Sequence, residues 1–214
     1  MVETNLFEVM STMRAMRRLK PDPVPDELIR QILEAAIGAP NGGNRQVWTF
    51  LVVTDPEVKK QVQVYYQRAF EDHVRDHYLH GDAPPGMTKA QHLRSLDAVE
   101  YLTMHFHEAP VWIVPCLEDG ETARRAAGAG IYPAVQNMLL AARALGLGAS
   151  LTTRHTSHHE EVDAIFGIPA GTHSFAILPI GYPMGNFGPT RRGSLAEVVR
   201  GSRWDEPAPF DLGE

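Results

Sequence analysis

Cysteine is nearly absent from this chain. The single one, Cys116, excludes an intrachain disulfide and any all-thiolate zinc or iron–sulfur site. Its apolar surroundings read as those of a buried structural thiol. An excess of positive charge is missing too. The formal net charge of −6 argues against a general nucleic-acid or membrane-surface binder, so any anion site has to be a local cluster. Glu3 and Glu8 occupy the beginning without a long apolar run, which reads as no secretory signal, and Arg143 interrupts the most apolar helical stretch. The cytoplasm is the expected compartment.

Nucleotide and hydrolase signatures are lacking as well. Gly128-Ala129-Gly130 has no third glycine and falls inside a helical pattern. No glycine-rich loop precedes a Lys-Ser/Thr pair, and there is no GxSxG elbow. His73 and His77 are four apart, yet no HExxH pattern or carboxylate at ligand spacing accompanies them. A solvated or lid-packing role therefore stands ahead of a metal site.

What is present suits one domain with a sizeable core: 214 residues, 43% hydrophobic and 21% charged, with no internal repeat or linker. The organising stretch is APNGGNRQVWTFLVVT, Ala39–Thr54. Pro40–Gln46 is a polar loop in which Gly42 and Gly43 allow a sharp turn and close approach to a ligand. Asn44 and Gln46 carry amides there, and an amide suits the edge of a heterocycle; an ordinary surface turn reads equally well. Val47–Thr54 is a β-branched and aromatic run that predicts a buried strand.

Leu6, Val9, Met10 and Met13 have helical spacing, with Asn5 and Glu8 as a capping box. The predicted helix runs on into MRAMRRLK, Met13–Lys20. Its arginines are either a solvated face or a phosphate clamp, since guanidinium matches phosphate bidentately. Further helices are predicted over Asp26–Gly38, Asp55–Asp72 and Glu121–Leu145, the last apolar on most sides and hence central. Ser157 with Glu160 caps another helix ending at Gly167, and Ser194 with Glu197 a short last one. Strands are predicted at Ala109–Leu117, Ala149–Thr153 and His173–Tyr182. Residues 73–92, with Gly81, Pro84, Pro85 and Gly86, read as a loop or lid. Arg191 and Arg192 form a second basic cluster. Trp204 and Phe210 in the 200–214 tail suggest a segment lying across a surface. Helices and strands in this order predict an α+β fold or a three-layer α/β sandwich.

Four stretches resemble one family in the same order: MRAMRRLKPDPVPDELI, APNGGNRQVWTFLVV, YPAVQNMLLAARALGLG and IGYP followed by PTRRGSLAEVV. The chain resembles the nitroreductase family of FMN-dependent oxidoreductases throughout, except in the variable 73–108 region. The resemblance implies a single domain over 1–214 with a central, mainly antiparallel sheet flanked by helices. It implies a homodimer with two FMN sites at the subunit interface, and NAD(P)H as hydride donor. A small acceptor such as a nitroaromatic or quinone would take the electrons beneath the 73–108 lid. Carried over by position, Arg14, Ala15 and Arg17 hold the phosphate and ribityl chain, Asn41, Asn44 and Gln46 form the loop that reaches the flavin, Leu151, Thr152 and Thr153 lie near the ring, and Arg191 and Arg192 close the clamp. Arg18 is expected to face outward. The chemistry resides on the flavin, and no protein acid or base is named. Ala15 and Val47 replace the family's usual serine and proline, and Met13 stands where arginine is common. Flavin-fragmenting or dehalogenating chemistry, or flavin binding without turnover, remain alternatives on the same scaffold.

Overall fold

The computed structural model describes residues 5–84, 87–119 and 127–213. Eight helices are present among them: α1 Leu6–Thr12, α2 Asp26–Ile37, α3 Pro56–His73, α4 Arg75–His80, α5 Lys89–Met104, α6 Ala127–Ala144, α7 His159–Phe166 and α8 Leu195–Val198. Five strands accompany them: β1 Trp48–Val53, β2 Val111–Glu118, β3 Gly148–Ala149, β4 Thr172–Ser174 and β5 Leu178–Gly181. All strand pairs are antiparallel, in the order β1-β2-β5-β3, with β4 also on β2. The fold is α+β.

Strand β2 organises the core because both of its faces are covered. Its residues alternate: Val111 and Ile113 face a cluster with α2, α6 and β5, while Trp112, Val114 and Cys116 face one with α3 and α7. That period-2 division makes the sheet the middle of three layers. On the first side Ile32, Ala36, Ala134, Val135, Met138 and Ala142 bring α2 against α6, and Asn137 Nδ2 donates to the Ala35 carbonyl at 3.0 Å. On the second, Tyr66, Phe106 and Trp112 stack in sequence, with ring centroids 4.0 and 4.2 Å apart. Trp112 Nε1 donates to the Phe106 carbonyl at 3.1 Å, so the ring is buried without an orphaned donor. Cys116 is buried as expected, and burial pushes its thiol up to about 12.

Several expectations change. Strand β1 is an edge strand with Thr49 and Val52 exposed, because only β2 pairs with it. The predicted strand His173–Tyr182 divides in two. Opposite its middle stands Pro115, which accepts the Phe175 N–H at 2.9 Å but has no N–H to return, and the register on β2 shifts by one residue there. The third strand keeps only Gly148–Ala149 in ladder form. The 73–92 region is largely helical: Thr88 and Gln91 form a capping box that starts α5, and Leu96 and Val99 pack on Phe70. Helix α7 starts after a 3₁₀ turn over Arg154–His158, and Ser157 does not cap it. The Glu121–Ala126 part of the predicted long helix lies outside the described residues. The tail leaves Trp204 89% exposed, while Phe210 lines a hollow between the tail and α8. No described helix is long and apolar enough to cross a membrane.

Candidate functional site

The basic stretch after α1 is extended, not helical, and this correction creates the site. Arginine, methionine and leucine favour helix locally, but the segment is captured by backbone partners far along the chain. Met16 N–H donates to the Ala149 carbonyl at 3.0 Å and Lys20 N–H to the Tyr182 carbonyl at 2.8 Å. Met184 N–H donates to the Arg18 carbonyl at 3.0 Å, and Leu19 bridges Pro183. Met16 and Leu19 are buried anchors, which leaves the arginines between them to project elsewhere. Beneath them Gly148 and Gly181 provide the room that any Cβ would take away.

The C-terminal arm closes against this segment. Thr190 N–H donates to the Ser11 carbonyl at 2.8 Å, and Arg14 Nη2 to the Asn186 carbonyl at 3.0 Å. Arg143 bonds Thr12 and lies over the Phe187 ring at 4.2 Å. A cleft of about 780 Å³ results. One wall is Arg14–Arg18 and another is Gly185 with Pro189–Arg192. The third comes from the lid region: Met87, and Gln91, Arg94, Ser95 and Ala98 of α5. These α5 positions are helical neighbours beside the buried face His92, Leu96 and Val99. Six arginines line the cleft (14, 17, 18, 94, 191, 192) and no carboxylate does. Among the described residues none of the six forms an ion pair with a carboxylate. An acidic protein thus places six arginines with no lining carboxylate around one concave surface.

Of the residues expected at the site, Arg14, Ala15, Arg17, Arg191 and Arg192 line this cleft together. Asn41, Asn44, Gln46, Leu151, Thr152 and Thr153 do not. The amide loop precedes β1, at one edge of the sheet. The arginine segment bonds to β3, at the other, roughly 14 Å away over three strand spacings. The loop is nonetheless tightly specified. Gly43, Asn44 and Gln46 all have positive φ, and Asn41 Oδ1 accepts the Gln46 N–H at 3.0 Å. A left-handed conformation at two non-glycine residues is uncommon and suits a functional loop. Leu151 is exposed. Thr152 is buried, its hydroxyl 3.0 Å from Tyr66 Oη, and the Thr153 carbonyl accepts from Thr156.

Sequence reasoning missed four contributors. Arg18 was expected to face outward, but it lines the cleft with its guanidinium 4.8 Å from the Tyr101 ring centroid. Gln91 lay in the 73–92 stretch read as a loop or lid, and Arg94 and Ser95 in the variable 73–108 region, to which no site residue was carried over. The Thr88–Gln91 capping box and the 91, 94, 95, 98 spacing are the signals that reveal them. Nearby Arg154 donates to Thr103 Oγ1 at 2.6 Å and lies over Tyr66 and Phe70. Burial pushes its pKa below the usual arginine value, and the nearby Arg17 adds to that.

A buried polar node sits behind the strand end. His155 Nε2 is 3.1 Å from Ser174 Oγ, and that hydroxyl donates to Asp163. The serine proton is thus engaged by the carboxylate, and His155 acts as a donor rather than as a base. With His155 fully buried, the trio is structural. Burial pushes the His155 pKa down from 6.5 to about 4. Above pH 6.5 the ring is neutral in both states. As pH falls from 6.5 towards 4 the unfolded chain takes up a proton that the fold refuses, so stability is lost across that window. Asp163, raised by burial, opposes part of this loss. His155→Gln is therefore expected to flatten the dependence of the denaturant midpoint on pH between 6.5 and 4; slopes equal to wild type would refute the assignment.

The chain is an α+β protein whose antiparallel sheet lies between helical layers and whose two arms meet around an arginine-rich cleft. The sequence profile of the Nitroreductase family matches residues 11–182. The chain belongs to the nitroreductase family. It is 32% identical over 198 residues to an NADH dehydrogenase of Thermus thermophilus, covering 87% of this chain and 90% of that protein. It is 30% identical to the iodotyrosine deiodinase of Drosophila melanogaster, covering 83% of this chain and 62% of that protein. A crystal structure of oxidized iodotyrosine deiodinase bound to FMN and 3-iodo-L-tyrosine superposes with a TM-score of 0.71 at 25% identity, covering 93% of this chain and 99% of that one.

Proposed function

We propose that this protein is an FMN-dependent oxidoreductase that takes hydride from NAD(P)H and passes electrons to a small acceptor such as a nitroaromatic or quinone. The observation that carries the reading is the cleft of six arginines without a carboxylate, built where the two arms of the chain meet. Its donor set fits a phosphate monoester, which brings roughly two negative charges near neutral pH. FMN, when bound, supplies the hydride and electron chemistry. Arg14, Arg17, Arg191 and Arg192 hold its phosphate, and Ala15 offers only its backbone. The Tyr66–Thr152 hydrogen bond fixes the strand end that faces the ring. Met16 and Leu19 keep the arginine segment seated so that the clamp keeps its geometry.

The unit that works is a homodimer. Asn41, Asn44 and Gln46 lie outside the cleft of their own chain, and a second copy supplies them; Leu151, Thr152 and Thr153 follow Ala149, whose carbonyl holds Met16, and so belong to the copy that supplies the arginines. Leu6, Phe7 and Met10 on α1 remain exposed, as Tyr132 and Leu151 do, and they are suited to that contact. The whole described chain then acts as one FMN-binding domain, with residues 73–108 over the substrate.

The test is the visible spectrum of FMN-loaded protein before and after anaerobic NADH or NADPH. Bleaching of the flavin bands is expected. Persistence with both donors would remove the reductase reading. The similarity to iodotyrosine deiodinases favours reductive dehalogenation as a second reading. Reoxidation of the reduced protein by 3-iodotyrosine but not by a nitroaromatic or quinone would select it.

A further inference from the structure

One cofactor phosphate leaves most of the charge in the cleft unused. Six arginines against roughly two negative charges leave about four without compensation. Their placement is uneven. Arg14 and Arg191 stand on the two arms that meet at the phosphate clamp. Arg94 belongs to neither: it projects from α5, on the lid wall, next to Gln91 and Ser95. Among the described residues Arg94 makes no ion pair, although α5 also carries Asp97 and Glu100, and Glu100 pairs with Arg75 instead. Arg18, on the facing wall, has its guanidinium held over Tyr101, and Tyr101 Oη is 3.6 Å from Met184 Sδ. Met87 and Ala98 line the cleft between these polar groups and offer apolar surface. The lid side therefore combines two positioned guanidinium groups, two hydrogen-bonding side chains and an apolar patch.

Resting on the flavin reading above, we infer that this lid wall is a second anion subsite, in which Arg94 and Arg18 receive a carboxylate or phosphate carried by the substrate that docks over the flavin. The protein then selects anionic partners for its cofactor over neutral ones of the same shape. The acidic remainder of the surface repels such molecules while the basic cleft draws them in, so capture is sensitive to salt. The anion comes either from the donor, as the extra ribose phosphate that separates NADPH from NADH, or from an acceptor bearing a carboxylate.

The test uses FMN-loaded wild type, Arg94→Gln and Arg94→Lys. Each is assayed for kcat/KM with NADPH against NADH, and with para-nitrobenzoate against para-nitrobenzamide. Binding of the two nitro compounds is followed separately by perturbation of the flavin absorbance. Arg94→Gln is expected to lower kcat/KM or affinity for the member of one pair that carries the extra anionic group by roughly tenfold or more, with the member that lacks it and the FMN dissociation constant within about twofold of wild type. Arg94→Lys is expected to restore part of the loss. Response of the NADPH pair assigns the subsite to the donor, and response of the benzoate pair assigns it to the acceptor. Equal effects on the two members of each pair, or no effect on either pair, would overturn the subsite and leave the flavin reading intact. Protein that takes up no FMN overturns the flavin reading and the subsite with it.

Discussion

Arg14→Ala is expected to raise the FMN dissociation constant by roughly 10- to 150-fold, the loss of one charge-assisted contact of about 1.5–3 kcal/mol. Arg14 lines the cleft with Nη2 already donating to the Asn186 carbonyl, so its guanidinium is oriented before any ligand arrives. A pre-oriented donor loses little side-chain entropy on binding, and its removal is felt almost in full. Arg18→Ala is expected to change FMN affinity much less. Arg18 also lines the cleft, but its guanidinium lies over Tyr101 on the lid side. Fluorescence titration of FMN into the two apoproteins measures the contrast. Equal dissociation constants would remove the division between a cofactor wall and a lid wall.

Gly148→Val is the other substitution with a large expected effect, and it touches no ligand. A Cβ at position 148 would meet Leu19 Cδ2 at 2.8 Å, Met16 Cβ at 2.9 Å and Pro183 Cβ at 3.2 Å. The leucine methyl can rotate away. The other two carbons are fixed to their backbones and can retreat only if the arginine segment and the Pro183 turn lift off the sheet. Overpacking of this kind costs about 1–3 kcal/mol, and the branched side chain falls at the upper end. The expected outcome is a lower denaturation midpoint together with weakened FMN binding, since Arg14 and Arg17 move with Met16. Destabilisation with wild-type FMN affinity would show that the cleft does not depend on this seat.

The central strand was legible in the sequence because Val111–Cys116 is apolar on both parities, as a strand covered on two faces must be. The helices α2, α3 and α6 were legible from their periodicity. The arginine segment was not. Its local propensity is helical, and what makes it extended is hydrogen bonding to Ala149, Tyr182 and Met184, at separations no window of residues can see. The break between β4 and β5 has a legible cause, Pro115, but one that lies on the neighbouring strand. The lid was misread because Gly81 and Pro84 mark a break between two helices rather than a long loop. Half of the expected site, Arg14 to Arg17 with Arg191 and Arg192, came together in one cleft from residue type and resemblance alone. The other half, the amide loop and the strand end, does not line that cleft, and the loop stands before β1 at the opposite edge of the sheet, a placement set by strand order that no local window contains.

Both arms of the chain close the cleft, and this has a consequence for biosynthesis. A ribosome delivers Arg14 well before Arg191. The hydrogen bonds of Thr190 to Ser11 and of Arg14 to Asn186 cannot form until that distal arm has left the exit tunnel. A nascent chain can already bury much of β2, α3 and α6, yet it has no complete pocket to load. On the flavin reading proposed above, uptake of the cofactor by a complete cleft follows the synthesis of Arg191 and Arg192.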